Sequence, residues 1–194
     1  ASQVDLVETY FKTQSLFRES GSPQPEFSRM IEIDLSQITP TIAGPKRPQD
    51  VIRLTSIKTE FEQMLTDEKG LRGYGLKPQA KDQVFNFTVD GSQLQVPQGA
   101  VLIAAITSCT NTSDPSVMIA AGLLARNAAA KGLAPKPWVK TSFAPGSRAV
   151  DIYLNKSGLM GDLDQMGFSI VGYGCTTCIG NSGPIDAALS RLVR

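Results

Sequence analysis

Three cysteines are the residues of this sequence whose types and spacing indicate chemistry. Cys175 and Cys178 lie in the glycine-rich segment "GYGCTTCIGNSG", and Cys109 lies in "ITSCTNTSDPS". The 194 residues include no histidine, so both the usual general base at neutral pH and the commonest metal ligand are missing. An odd and small number of cysteines argues against a disulfide scaffold and suits a reducing compartment.

Three interpretations of these cysteines are open. They could be small buried apolar residues, or the CxxC could be a redox dithiol, which leaves Cys109 unexplained. They could also bind metal, although three thiolates without histidine do not complete a four-ligand structural zinc site. Thiolates are the standard ligands of iron–sulfur clusters, and a cubane held by three cysteines would keep one iron open as a Lewis acid. Nearby side chains that could donate hydrogen bonds to the sulfurs are Thr110, Asn111, Thr176, Thr177 and Asn181.

The elements that must position the cysteines follow a regular alternation from residue 100 onward. Strand patterns in "AVLIAAIT", "PWVKTSF" and "FSIVGYG" alternate with helix patterns in "SDPSVMIAAGLLARNAAAKG", "SRAVDIYLNKSG" and "GPIDAALSRLV". This order predicts an α/β fold with a three-layer αβα arrangement and a mostly parallel sheet. Cys109 and Cys175 each follow a predicted strand directly. Because ligands gather at the carboxyl ends of such strands, we expect the two cysteines at one edge of the sheet.

The first half of the chain has a different pattern. Helical spacing from Val4 to Phe17 predicts a helix, and "MIEIDL" alternates as a strand does. "TPTIAGPKRPQDV" predicts an irregular loop, "SIKTEFEQML" a helix with Ser56 as N-cap, and "VFNFTVDGSQLQVPQG" a β-hairpin that turns at Asp90-Gly91. We expect a single domain over residues 1–194, with 1–99 as an N-terminal subregion and 100–194 as its βαβ core.

Composition narrows the class of protein. Hydrophobic residues make up 41% of the chain, enough to supply a core, and 19 Lys and Arg against 18 Asp and Glu give a net charge of +1. Such a balance creates no large field to attract nucleic acid. Apolar runs such as "VLIAAI" are far shorter than the roughly 20 residues of a membrane span, and the N-terminus has no signal pattern. We therefore expect a cytoplasmic protein without membrane contacts.

Several of these segments resemble the aconitase family. The similarity is carried by "ITSCTNTSDPSVMIAAGLLA", "PWVKTSFAPGSRAV", "GFSIVGYGCTTCIGNSGP" and "AGPKRPQD", and it is greatest to the branch of bacterial aconitate hydratase A and cytosolic aconitase, which includes the iron regulatory protein. It covers nearly the whole chain, while the final "AALSRLVR" matches weakly. The resemblance implies that Cys109, Cys175 and Cys178 bind a [4Fe–4S] cluster.

The resemblance also implies an activity. In this family the open iron binds citrate, isocitrate or cis-aconitate, and citrate and isocitrate interconvert by dehydration and rehydration. The family's catalytic base lies in other domains, so no catalytic residue is expected in this chain. Residues 1–194 are similar to the third, cluster-binding domain of a longer enzyme, which implies that the remaining aconitase domains are its partners and that the chain alone is inactive.

Three other functions remain open. The related 2-methylcitrate dehydratase acts on a substrate one methyl larger, which pocket residues outside this chain would distinguish. An RNA-binding iron-responsive regulator belongs to the same family, but the near-neutral charge provides little phosphate attraction. In "AGPKRPQDV", two cations beside an aspartate are interpreted as solvated surface. A non-catalytic zinc or iron–sulfur module is the third alternative.

Overall fold

The computed structural model describes residues 2–89 and 91–193. It divides into two compact units, the first ending at Pro40 and the second beginning at Thr41. Within the described residues, no helix combines the length and the apolar character that crossing a membrane would require.

The first unit contains helix α1, Gln3–Thr13. The Ser2 hydroxyl accepts a hydrogen bond from the backbone N–H of Asp5, and the Asp5 carboxylate accepts one from the backbone N–H of Ser2. This capping box fixes the start of the helix. The predicted helix is confirmed but ends before Ser15, which has a left-handed φ of 56°.

The predicted strand "MIEIDL" is wrong. Its residues form no strand, and the segment runs into a short 3-10 helix, Leu35–Gln37, which Asp34 caps by accepting a hydrogen bond from Ser36 N. Alternation marks a candidate strand, but a strand also needs a partner for its backbone groups.

Among its described residues, the second unit holds six strands, six α-helices and two 3-10 helices, Pro78–Ala80 and Thr177–Ile179. The strands are β1 (Thr41–Ala43), β2 (Val51–Arg53), β3 (Val84–Val89), β4 (Ser92–Pro97), β5 (Ile103–Ile106) and β6 (Lys140–Phe143). The helices are α2 (Ile57–Thr66), α3 (Ser108–Ser113), α4 (Pro115–Ala130), α5 (Arg148–Lys156), α6 (Met160–Gln165) and α7 (Ala187–Leu192). The prediction of a mixed α/β fold is confirmed.

Two antiparallel hairpins precede the parallel pair. β1 and β2 pair with Ile42 opposite Ile52. β1 lies inside the segment predicted to be an irregular loop, and β2 begins at the last residue of that segment, Val51. β3 and β4 pair from Val84 opposite Pro97 onward, which confirms the one hairpin that the sequence predicts. Gly91 has a φ of 78° at its turn, and Asp90, the other predicted turn residue, lies outside the described residues.

The parallel pairing that the sequence predicts is present between β5 and β6. Ile103 lies opposite Lys140 and Ile106 opposite Phe143. The third predicted strand, "FSIVGYG", contributes one isolated parallel bridge between Phe143 and Ile170. Two backbone hydrogen bonds support this bridge, from Phe143 N to Ser169 O and from Val171 N to Phe143 O, both at 2.9 Å.

Two apolar clusters stabilise the second unit. The larger lies where α4, α5 and α6 pack with β6, and the smaller lies where α7 packs with β3 and β4. Each fully buried Leu, Met or Phe contributes roughly 1.5 to 3 kcal/mol relative to its exposed state. The buried residues of the larger cluster are Met118, Ala125, Phe143, Val150, Leu154, Leu159, Met160 and Leu163. Those of the smaller are Phe87, Val96 and Leu189.

Candidate functional site

Cys109 lies at the carboxyl end of the parallel pair. β5 ends at Ile106, Thr107 has an extended backbone, and Cys109 is the second residue of α3. The Cys109 side chain is exposed. The sequence places this cysteine beyond the strand correctly, but it does not predict that the cysteine opens a short helix.

Cys175 and Cys178 lie on a compact turn beyond the Phe143–Ile170 bridge. A 3-10 helix, Thr177–Ile179, carries Cys178, and Gly180 ends it in the left-handed conformation with a φ of 85°. The Thr176 carbonyl accepts hydrogen bonds from the N–H groups of Ile179 (3.1 Å) and Asn181 (3.0 Å). These bonds fix the CxxC backbone while both thiols stay exposed.

A side-chain contact joins the two cysteine motifs. Ser108 Oγ lies 4.0 Å from Cys175 Sγ, although the residues are 67 positions apart. Ser108 immediately precedes Cys109, so the contact brings the start of α3 against the CxxC turn. The sequence pattern does not single out Ser108, because no local signal shows that the residue before Cys109 contacts the other cysteine motif.

Asn111 fastens α3 to the loop that follows β6. Its side chain is 1% exposed, and Nδ2 donates hydrogen bonds to Thr107 O (2.8 Å) and Ala144 O (2.9 Å). Its Oδ1 accepts one from Gly146 N at 2.8 Å. Both Nδ2 hydrogens therefore bond backbone carbonyls, and the residue predicted as a donor to sulfur instead connects backbone segments.

The close approach of this loop to α3 depends on Gly146. A Cβ at position 146 would collide with Thr112 Cγ2 and would lie 3.2 Å from Ser108 O. Only glycine leaves room for the loop to reach Asn111 at this distance.

The other four predicted sulfur donors differ in exposure. Thr110 and Asn181 are exposed, whereas Thr176 and Thr177 are half-buried. Their proposed hydrogen bonds to sulfur stay predictions.

Tyr173 anchors the segment before the CxxC turn to α5. Its hydroxyl donates a hydrogen bond to Asp151 Oδ2 at 3.2 Å. Burial raises the pKa of the Tyr173 phenol above its ordinary value, and the nearby Asp151 carboxylate raises that pKa further. Gly174 N also donates to Pro145 O at 2.8 Å, so two adjacent residues hold the backbone that leads into the turn.

The chemistry of the donor set fits a sulfur-ligated cluster. The three thiols are free of disulfides. Among the described residues, no group of three or more His, Cys, Asp and Glu side chains could hold a metal ion. In a cubane each cysteine binds a different iron, so the three sulfurs need not converge on one point as the ligands of one ion must.

The "AGPKRPQD" loop is internally tethered, which corrects its interpretation as solvated surface. Arg47 forms a bidentate pair with the largely buried Asp50, with Nε–Oδ2 at 2.9 Å and Nη2–Oδ1 at 2.5 Å. This hydrogen bonding holds the pKa of Asp50 below its ordinary value. Lys46 Nζ donates to the carbonyls of Gly70 and Gly73 and lies 4.6 Å from the centre of the Tyr74 ring.

Comparison with known proteins gives one consistent result. The family model described as the aconitase family (aconitate hydratase) matches residues 1–193. An aconitate hydratase A of Deinococcus radiodurans is 52% identical over 192 residues, which cover 99% of this chain and 21% of that protein. Those of Bradyrhizobium diazoefficiens and Thermus thermophilus are 50% and 49% identical over 100% and 98% of the chain. The chain spans about a fifth of the length of these relatives.

Proposed function

Because the chain belongs to the aconitase family, we propose that it is the cluster-binding domain of an aconitate hydratase that interconverts citrate and isocitrate through cis-aconitate. The observation that carries this proposal is the meeting of the two cysteine motifs. Ser108, the neighbour of Cys109, contacts Cys175 at 4.0 Å, and all three cysteines stay exposed. The relatives named aconitate hydratase A support citrate as the substrate over 2-methylcitrate.

Cys109, Cys175 and Cys178 would hold the [4Fe–4S] cluster as thiolates. When bound, such a cluster supplies a Lewis acid at the iron without a cysteine ligand, which can polarise a substrate hydroxyl. The protein holds the ligands in place through the α3 backbone, tied by Asn111, and through the turn that ends at Gly180.

The finer fold prediction belongs to the same proposal. We place β5, β6 and the Ile170 segment in one mostly parallel sheet, with helices on both faces in a three-layer domain. The parallel β5–β6 pair and the Phe143–Ile170 bridge support this arrangement. Substrate contacts and the catalytic base would come from the other domains of a protein as long as these relatives, of which this chain spans about a fifth. Residues 1–194 alone would therefore not turn over citrate.

The test is anaerobic reconstitution of the natural polypeptide that contains this sequence. Iron and sulfide analysis, visible absorption, and EPR after mild oxidation should report a cubane that loses one iron. Substituting Cys109, Cys175 or Cys178 by Ser should each abolish the cluster, because the described residues offer no histidine in their place. Ser92→Ala, on the exposed start of β4, is the control and should leave iron content unchanged.

Three results would contradict the proposal. A protein that binds no iron under these conditions lacks the cluster, and a zinc-loaded protein indicates the non-catalytic module. Steady-state kinetics on citrate and 2-methylcitrate with the same preparation then test the substrate. A preference for 2-methylcitrate would overturn the assignment to aconitate hydratase while leaving the cluster intact.

A further inference from the structure

Ser108 contacts the sulfur of a proposed cluster ligand from a buried position. Ser108 is only 6% exposed. Its Oγ lies 4.0 Å from Cys175 Sγ, within reach of a hydrogen bond to sulfur. The contact crosses between the two cysteine motifs. It is therefore a link between loops that carry different ligands.

The direction of this hydrogen bond follows from the charge on sulfur. A ligating cysteine is a thiolate, which has no proton to donate and can only accept. A buried hydroxyl needs a partner, and donation to a charged acceptor is stronger than donation to a neutral one. With Cys175 as a ligand, the Ser108 O–H is therefore the donor.

Two side chains hold the backbone around Ser108 in place. Thr112 Oγ1 donates to Ser108 O at 2.8 Å, and Asn111 fixes the same helix to the loop after β6. Because α3 is fastened on both counts, Ser108 needs little reorganisation to meet the sulfur.

We propose that Ser108 is a positioning residue that donates a hydrogen bond to Cys175 Sγ and thereby raises the reduction potential of the cluster that Cys175 holds. Hydrogen bonds to cluster sulfurs are one of the factors that set such potentials. The sign is upward because the donor stabilises the reduced state, which carries more negative charge on the sulfurs. This inference rests on the proposed function.

Redox titration of the cluster-loaded natural polypeptide tests the proposal. Ser108→Ala removes the donor and should shift the midpoint potential downward, by about 59 mV if the one-electron equilibrium changes tenfold. Ser157→Ala is the matched control, because it makes the same side-chain change at the end of α5, where the hydroxyl bonds Leu154 O and not sulfur. It should leave the potential at the wild-type value.

The outcomes separate this inference from the function on which it rests. A wild-type protein without a cluster overturns the proposed function. A loaded wild type whose potential is unchanged in Ser108→Ala, or shifts equally in Ser157→Ala, overturns only the role of Ser108. If Ser108→Ala retains no cluster, Ser108→Thr decides: assembly with the retained hydroxyl supports the hydrogen bond, and failure of both variants overturns it.

Discussion

At the scale of single residues, the Asn111 side chain bonds backbone groups that have no partner in a helix or strand. Thr107 O, Ala144 O and Gly146 N lie in irregular backbone around the ends of β5 and β6, and the Asn111 amide satisfies all three. The Asn side chain can do this because its amide has two N–H donors and one carbonyl acceptor. Its burial at 1% exposure makes these bonds costly to lose, because water cannot replace them.

Asn111→Ala should lower the free energy of unfolding by about 2 to 4 kcal/mol, since it leaves three backbone groups without their partner and opens a cavity. Asn155→Ala is the control, because its amide bonds the exposed side of α5 and should change stability by about 0.5 kcal/mol or less. Urea unfolding of both variants measures the difference. Equal losses would show that the Asn111 bonds do not carry this stability.

The cysteine pattern could be predicted from the sequence, whereas the contacts around it could not. Spacing within the chain reveals the CxxC and the strand-end position of Cys109. By contrast, Ser108 meets Cys175 and Asn111 meets Gly146 only after distant segments fold together. Neither pairing leaves a local pattern. The predicted donors follow Cys109 and Cys175 in the sequence, whereas Ser108 precedes Cys109 and contacts the sulfur of the other motif.

At the scale of secondary structure elements, α4 and α6 approach each other through Gly122. A Cβ at position 122 would lie 2.7 Å from the Cβ of Leu159, an atom next to the backbone that cannot swing away. Leu159 is 2% exposed and belongs to the larger apolar cluster. The glycine therefore sets the distance between the two helices.

Gly122→Ala should destabilise the protein by about 1 to 3 kcal/mol, because the clash outweighs the gain of up to about 1 kcal/mol in helix propensity. Gly161→Ala in α6 is the matched control, since a Cβ there meets no atom within 4 Å. It should be neutral or stabilising by up to about 1 kcal/mol. The midpoints of chemical denaturation compare the two. A stabilising Gly122→Ala would contradict the close-packing argument.

Elements with strong local signals could be predicted, and those that depend on partners could not. Asp114 before Pro115 marks the start of α4, where its carboxylate accepts from Ser116 N. The hairpin of β3 and β4 likewise follows from alternation and a turn. The short β1–β2 pair has no such pattern, because three residues per strand are too few to alternate visibly. The "MIEIDL" segment shows the opposite error, since alternation is present without pairing.

At the scale of the whole molecule, the two units differ in how far their apolar side chains are buried. No described residue of the first unit is buried, although it includes Val4 at 72% and Met30 at 81% exposure. The second unit contains both apolar clusters. Little burial means little free energy to resist local opening.

Limited proteolysis of the 194-residue chain should therefore remove the first 40 residues before it cuts the second unit. In the natural polypeptide, the proposed additional domains would cover apolar surface and slow the same cleavage. Mass spectrometry of timed digests identifies the cuts. Equal initial rates of cleavage in the two units would contradict the expected difference in local stability.

The single bridge between Phe143 and Ile170 has a consequence for how cofactor loading could be followed. The Val171 amide proton bonds Phe143 O, four residues before Cys175, and little other sheet structure protects it. Ligation of Cys175 and Cys178 would restrain this segment, because metal binding contributes to the stability of the structure that holds the ligands. Hydrogen exchange at the Val171 amide should therefore slow when the neighbouring cysteines bind a cluster. This measurement follows cluster binding without any substrate.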